Sequence, residues 1–133
     1  VTYKKHLPTC YLVSWDDAQI VKAGYTCHRR WRKFTLRGAR LLGLATFPNF
    51  RDAFALETDL FDLMIQQLPH AFAGIADARP YLGNDGGGHR ECFNYAAVGA
   101  SLLADCERIA TASCERTAGA SYTNGTHRTH SLR

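Results

Sequence analysis

At 133 residues the chain suits one domain with a single sizeable core. A hydrophobic share of 46%, with seven Phe, six Tyr and two Trp, excludes a disordered chain, and no apolar run approaches the ~18 residues of a membrane span. Net charge is only +4, but residues 1–40 carry nine Lys/Arg against Asp16 and Asp17, a balance of +7 that leaves −3 for the rest. So uneven a distribution suggests a surface that meets a polyanion.

Residues 1–8 read as a loose lead-in or an edge strand, because Pro8 would interrupt a central one. Lys4-Lys5 is not followed by the apolar core of a signal peptide. Tyr11-Leu12-Val13 and Ile20-Val21-Lys22 are β-prone runs flanking the turn-prone pair Asp16-Asp17, which predicts a hairpin. With the loop centred between the aspartates, Val13 faces Ile20 and Tyr11 faces Lys22, side chains roughly 5 Å apart at Cβ. Gly24 then relaxes the backbone and Thr26 caps a basic helix over Cys27–Leu36, ended near Gly38. On it Trp31 and Phe34 turn inward, while Arg30, Lys33 and Arg37 share another face and Arg29 and Arg32 add to the charge. Arg40 to Phe47 predicts a third, more buried strand.

Asn49 is a good N-cap, and Phe50–Leu68 is the strongest helix of the chain. Its apolar stripe is Phe50, Ala53, Phe54, Leu60, Phe61, Met64 and Leu68, closed by Pro69. Glu57 falls inside that stripe. A carboxylate taken from water without a partner costs several kcal/mol, so Glu57 calls for an arginine or a bound cation. Residues 69–90 read as a long loop with the flexible core Gly83-Asn84-Asp85-Gly86-Gly87-Gly88. No Lys-Ser/Thr follows the glycines, so this is no phosphate-binding loop. Asn94 to about Ala118 predicts a last helix, and 119–133, rich in Ser, Thr, Gly and His, a disordered tail. The five cysteines form no C-x-x-C pair, and the spacings of Cys27-His28 and His89…Cys92 fit no standard zinc module. Reduced, intracellular (cytoplasmic) thiols are the expectation.

Several of these stretches, in order, resemble the GIY-YIG endonuclease superfamily. Thr9-Cys10-Tyr11 is similar to its first motif at the tyrosine. Lys22-Ala23-Gly24-Tyr25-Thr26 looks like the K-x-G-x-T second motif of the phage-associated branch. Arg30-Trp31 is similar to the helix that carries the catalytic arginine, with Arg29 and Arg32 as alternatives. Leu56-Glu57 looks like the helix that carries the metal-binding glutamate. Gly88-His89-Arg90-Glu91-Cys92-Phe93 resembles the G-R-x-E-W-F element that follows it. The resemblance spans roughly residues 11–93.

What it implies is an α+β fold, a small three-stranded antiparallel sheet flanked by helices, over residues 1–118. It further implies Mg²⁺- or Mn²⁺-dependent hydrolysis of DNA phosphodiesters, DNA being favoured over RNA. Glu57 would hold the metal, Arg30 would neutralise the phosphate and Tyr11 would activate or orient water. Lys22 opposite Tyr11 would favour the phenolate. Arg29, Arg32, Lys33, Arg37 and Arg40 would contact nucleic acid, with Tyr25, His28 and Glu91 as auxiliaries. No membrane partner is expected, whereas a homodimer or a fused recognition module would supply sequence specificity. Two alternatives stand beside this reading: a non-catalytic nucleic-acid-binding module of the same fold, and an RNA-cleaving nuclease.

Overall fold

The β-prone runs flanking Asp16-Asp17 form a hairpin of strands β1 (Thr9–Trp15) and β2 (Ile20–Thr26), in a computed structural model that describes residues 7–84 and 86–125. Its register differs from the expected one: Val13 opposes Lys22 and Tyr11 opposes Gly24. Ser14 and Trp15 remain in the strand because Trp15 is buried, its ring 5.9 Å from Phe34 and 5.8 Å from Tyr81. The turn therefore moves along the chain and closes with the Gln19 amide donating to the Asp16 carbonyl, Gln19 adopting φ 57°. The offset from expectation is one full pleat period, so Tyr11 and Lys22 still share a face, as diagonal rather than direct neighbours.

The basic helix is shorter than its composition suggests. The Thr26 hydroxyl accepts from the backbone amides of His28 (2.9 Å) and Arg30 (3.3 Å), and Arg29 takes φ 57°. That capped turn delays α1 to Trp31–Thr35, in place of Cys27–Leu36. Phe34 is buried there and Trp31 half-buried.

Strand β3 (Arg40–Thr46) pairs with β1 across a bulge at Leu12/Val13. Two further strands enlarge the expected three-stranded sheet to five. The short β4 (Cys92–Asn94) adds to β2 and β5 (Ser121–Asn124) to β3, giving the antiparallel order β4-β2-β1-β3-β5. Strand β5 lies in the stretch expected to be disordered from residue 119. Its anchor is Tyr122, whose hydroxyl donates to Glu107 at 2.9 Å and whose ring lies over Gly43, where a Cβ would overlap it. Positions 126–133 of the expected tail, and 1–6 of the expected lead-in, lie outside the described residues.

The α+β class stands, with four α-helices among the described residues. Helix α2 (Phe50–Gln67) begins as expected at Asn49, whose side chain accepts from the Asp52 amide. The stretch 69–90 is not one loop: it holds α3 (Ile75–Leu82), with Pro80 inside it, before a 3-10 turn over His89–Glu91. Helix α4 (Ser101–Glu115) starts later than Asn94, which belongs to β4. Alternation along β1 sends Tyr11, Val13 and Trp15 to a core shared with Phe34, Ala78 and Leu82, and Cys10 and Leu12 to one shared with Leu56, Leu60 and Leu102. Helices α1 and α3 thus cover one face and α2 and α4 the other.

Among the described residues no helix is long and apolar enough to cross a membrane. All five cysteines are free thiols. Burial pushes the Cys92 thiol up to about 12.

Candidate active site

Strand β4 covers the outer edge of β2 only from Ile20 to Lys22. Among the described residues no strand continues that pairing past Lys22, and a cleft of about 560 Å³ opens there. Because it sits at a sheet edge, side chains reach it from both layers: Arg30, Lys33 and Phe34 from the α1 side, Phe50, Phe54 and Glu57 from α2. The strands add Tyr11, Lys22 and Tyr25, and the turn before β4 adds Gly87, Gly88 and Glu91. The four residues expected to act together, Tyr11, Lys22, Arg30 and Glu57, line this one cleft.

Other expected contacts do not. Arg29 borders a separate groove with Thr9 and Thr46. Arg37 sits beside Trp15 and Tyr81 and does not share a face with Arg30 and Lys33. Arg40 donates to the Asp16 carboxylate at 2.6 Å at the turn end of the sheet. Arg32 and His28 are exposed and line no part of the cleft.

Tyr11 is only 1% exposed, and its ring lies against the Cα of Gly24. A Cβ at position 24 would overlap its hydroxyl oxygen and two ring carbons, so glycine is needed here for close approach. Gly24→Ala is expected to lower unfolding free energy by about 1–3 kcal/mol through overpacking. In a Tyr11→Ala background the same change is expected to be nearly neutral, because the obstructing ring is gone. Denaturant unfolding of both singles and the double measures this coupling, and additive losses would refute the contact.

Lys22 is 2% exposed. Its ammonium stands 3.0 Å from Glu91 Oε1, 5.4 Å from the centre of the Tyr11 ring and 5.5 Å from that of Phe34. Burial alone would lower its pKa, but the Tyr11 hydroxyl and the Glu91 carboxylate outweigh it and hold the lysine above its ordinary value. Gly88, at φ 86°, passes so near that a Cβ there would stand 3.1 Å from the ammonium. The glycine run, which reads as mere flexibility, lets the backbone fold over Lys22 and bring Glu91 to it.

Tyr11 itself moves opposite to expectation. Burial raises its pKa, and the charge and hydrogen bond of Lys22 offset this only in part. The group is therefore a neutral phenol near pH 7 rather than a phenolate, suited to orienting a water and not to taking its proton.

Glu57 is half-buried, and its pKa is raised, first by burial and next by the charge of Glu91, with Lys22 and a backbone hydrogen bond from Tyr25 opposing. Among the described residues no basic side chain lies within salt-bridge distance of it. Two carboxylates that repel in one cleft suit a hard divalent cation, which would relieve that repulsion. Among the described residues no group of three or more His, Cys, Asp or Glu side chains could enclose a metal. A cation here would complete its shell with water and substrate oxygens, a common Mg²⁺ arrangement.

No protein-family profile, curated protein or solved structure matches this chain. Chemistry therefore has to be argued from the side chains. A guanidinium, two ammonium groups, two phenols and a pair of carboxylates around an open cleft can hold a phosphate, orient a water beside it and bind a cation. Reading from sequence alone missed Phe34, Phe50 and Phe54 as lining groups. Phe50 and Phe54 fell on a helical stripe and so looked like core, yet they are 54% and 51% exposed.

Proposed function

We propose that this cleft is the active site of a metal-dependent endonuclease that hydrolyses DNA phosphodiester bonds, built along the lines of the GIY-YIG enzymes. The observation that carries it is the convergence of Tyr11, Lys22, Arg30 and Glu57, drawn from two strands, the turn that opens α1 and helix α2 on the opposite sheet face, on one opening. Arg30 forks onto non-bridging phosphate oxygens and stabilises the charge that grows on them. Tyr11 orients a water for in-line attack on phosphorus; the ester P–O bond breaks as the new one forms, the water's proton passes to solvent and the departing oxygen takes one up from it. Lys22 holds Tyr11 and Glu91 in place and adds positive charge. Glu57, with Glu91 beside it, would hold Mg²⁺ or Mn²⁺, which when bound neutralises the scissile phosphate. Lys33 supports the backbone on the Arg30 side, while the ion-paired Arg40 takes no part.

Supercoiled plasmid, circular single-stranded DNA and labelled RNA, each incubated with Mg²⁺ and with chelator, test the reading. The expected result is cutting of DNA that requires the metal, with RNA left intact. All three substrates intact at high protein concentration and saturating Mg²⁺ would reject the enzyme.

One observation favours a second reading, a non-catalytic module that docks on nucleic acid. Tyr11 and Lys22 are both almost wholly buried, as structural residues are. Binding to plasmid without cleavage in that assay would select it.

A further inference from the structure

Resting on the nucleic-acid reading of the cleft, we infer that its substrate is an unpaired strand, whose bases stack on an aromatic ledge along the α2 rim. Phe50 and Phe54 are one helical turn apart, with ring centroids 5.6 Å apart and planes tilted by 28°. Tyr25 meets Phe50 edge-on at 5.1 Å. The three rings form a continuous row lining the cleft, and more than half of each phenylalanine's surface faces solvent. Phenylalanines on a stable helix lose free energy by such exposure unless something covers them. A second, mostly apolar hollow of about 330 Å³ adjoins the cleft and shares Phe54, Glu57 and Glu91 with it.

What covers it is set by the charges opposite. Arg30 and Lys33 line the same cleft, so an occupant must present negative charge to α1 and flat apolar faces to α2. An unpaired nucleotide does both, with phosphate on one side and base on the other. In a duplex the base faces are already stacked on one another and are withheld from the ledge.

Binding is measured by fluorescence anisotropy with chelator present, so that nothing is cut. The probes are labelled oligothymidine, oligouridine and a DNA duplex of the same length. The variants are Phe50→Leu and Phe54→Leu, which keep apolar bulk and remove the π face, and Phe54→Trp, which restores one. The expected result is tighter binding of the single strand than of the duplex. Each leucine variant should weaken it about tenfold, the loss of roughly one stacked base, with duplex binding little changed and Phe54→Trp at or above the parent. Because both rings are exposed, circular dichroism should show every variant folded. Tighter binding of oligouridine supports the ledge and makes RNA the strand. Equal affinity for duplex and single strand, or leucine variants that bind like the parent, overturns the inference and leaves the nuclease reading intact. Failure to bind any probe overturns both. Aromatic-dependent single-strand binding by a protein that never cleaves removes the nuclease and leaves the ledge.

Discussion

Glu57→Gln is expected to abolish measurable cleavage while leaving the protein folded. The amide keeps size and shape but removes the charge that would hold the cation, and metal-assisted charge stabilisation is worth several kcal/mol, or at least ~10²-fold in rate. Stability moves the other way. The folded-state pKa of Glu57 lies above its ordinary value, so the folded chain binds that proton more tightly than the unfolded chain does. The stability this contributes is fully present below the unfolded pKa and is lost as pH rises through the folded one. Glutamine mimics the protonated form, so the variant should be at least as stable as the parent at neutral pH. Its stability should also change less between acid and neutral pH. The sequence left open an arginine partner for Glu57, and breaking such a pair would cost about 3–5 kcal/mol. Thermal melts and plasmid cleavage on the same sample decide the matter. A variant that cleaves as the parent does, or one that unfolds, removes Glu57 from the metal site.

Arg30→Ala should lower the cleavage rate by ~10²–10³, the usual cost of removing one preorganised charge stabiliser. Arg30→Lys should recover only part of this, because an ammonium cannot reproduce the two-pronged contact of a guanidinium. The neighbouring arginines are the controls. Arg29, in its left-handed backbone conformation, borders the Thr9–Thr46 groove, and Arg32 lies outside the cleft. Alanine at either should leave the rate within a few-fold. Arg30 is exposed, so its loss should hardly alter unfolding, and the deficit should appear in kcat rather than KM. A collapse of activity with Arg29→Ala and none with Arg30→Ala would transfer the role and displace the cleft as the reacting centre.

The hairpin, β3 and α2 were legible because their signals are local. Alternation survives an error of one pleat period, so the face of Tyr11 and Lys22 was right although their pairing was not. Asn49 and Pro69 bracket α2 by local chemistry alone, the one through a side-chain cap and the other through a ring that cannot continue a helix. Of the three arginines that sequence could not separate, Arg30 lines the cleft while Arg29 borders another groove and Arg32 lines neither. The rest depends on contacts distant in sequence. Strand β4 has three residues and no alternation to read, α3 carries a proline, and β5 is Ser-Tyr-Thr-Asn, polar but for the tyrosine that Gly43 and Glu107 receive. The state of Tyr11 was misjudged because a charge partner is visible in sequence and the depth of burial is not.

The order β4-β2-β1-β3-β5 also fixes a sequence of events during synthesis. Its three central strands lie within residues 9–46 and can meet through short chain closures while the rest is still being made. Until β4 and β5 emerge, that partial sheet presents two bare edges, the surfaces through which immature sheets join one another. The two flanking strands are short, yet β4 buries Cys92 and Phe93 completely. Arriving last, they cover part of each bare edge, Ile20–Lys22 on β2 and Gly43–Thr46 on β3.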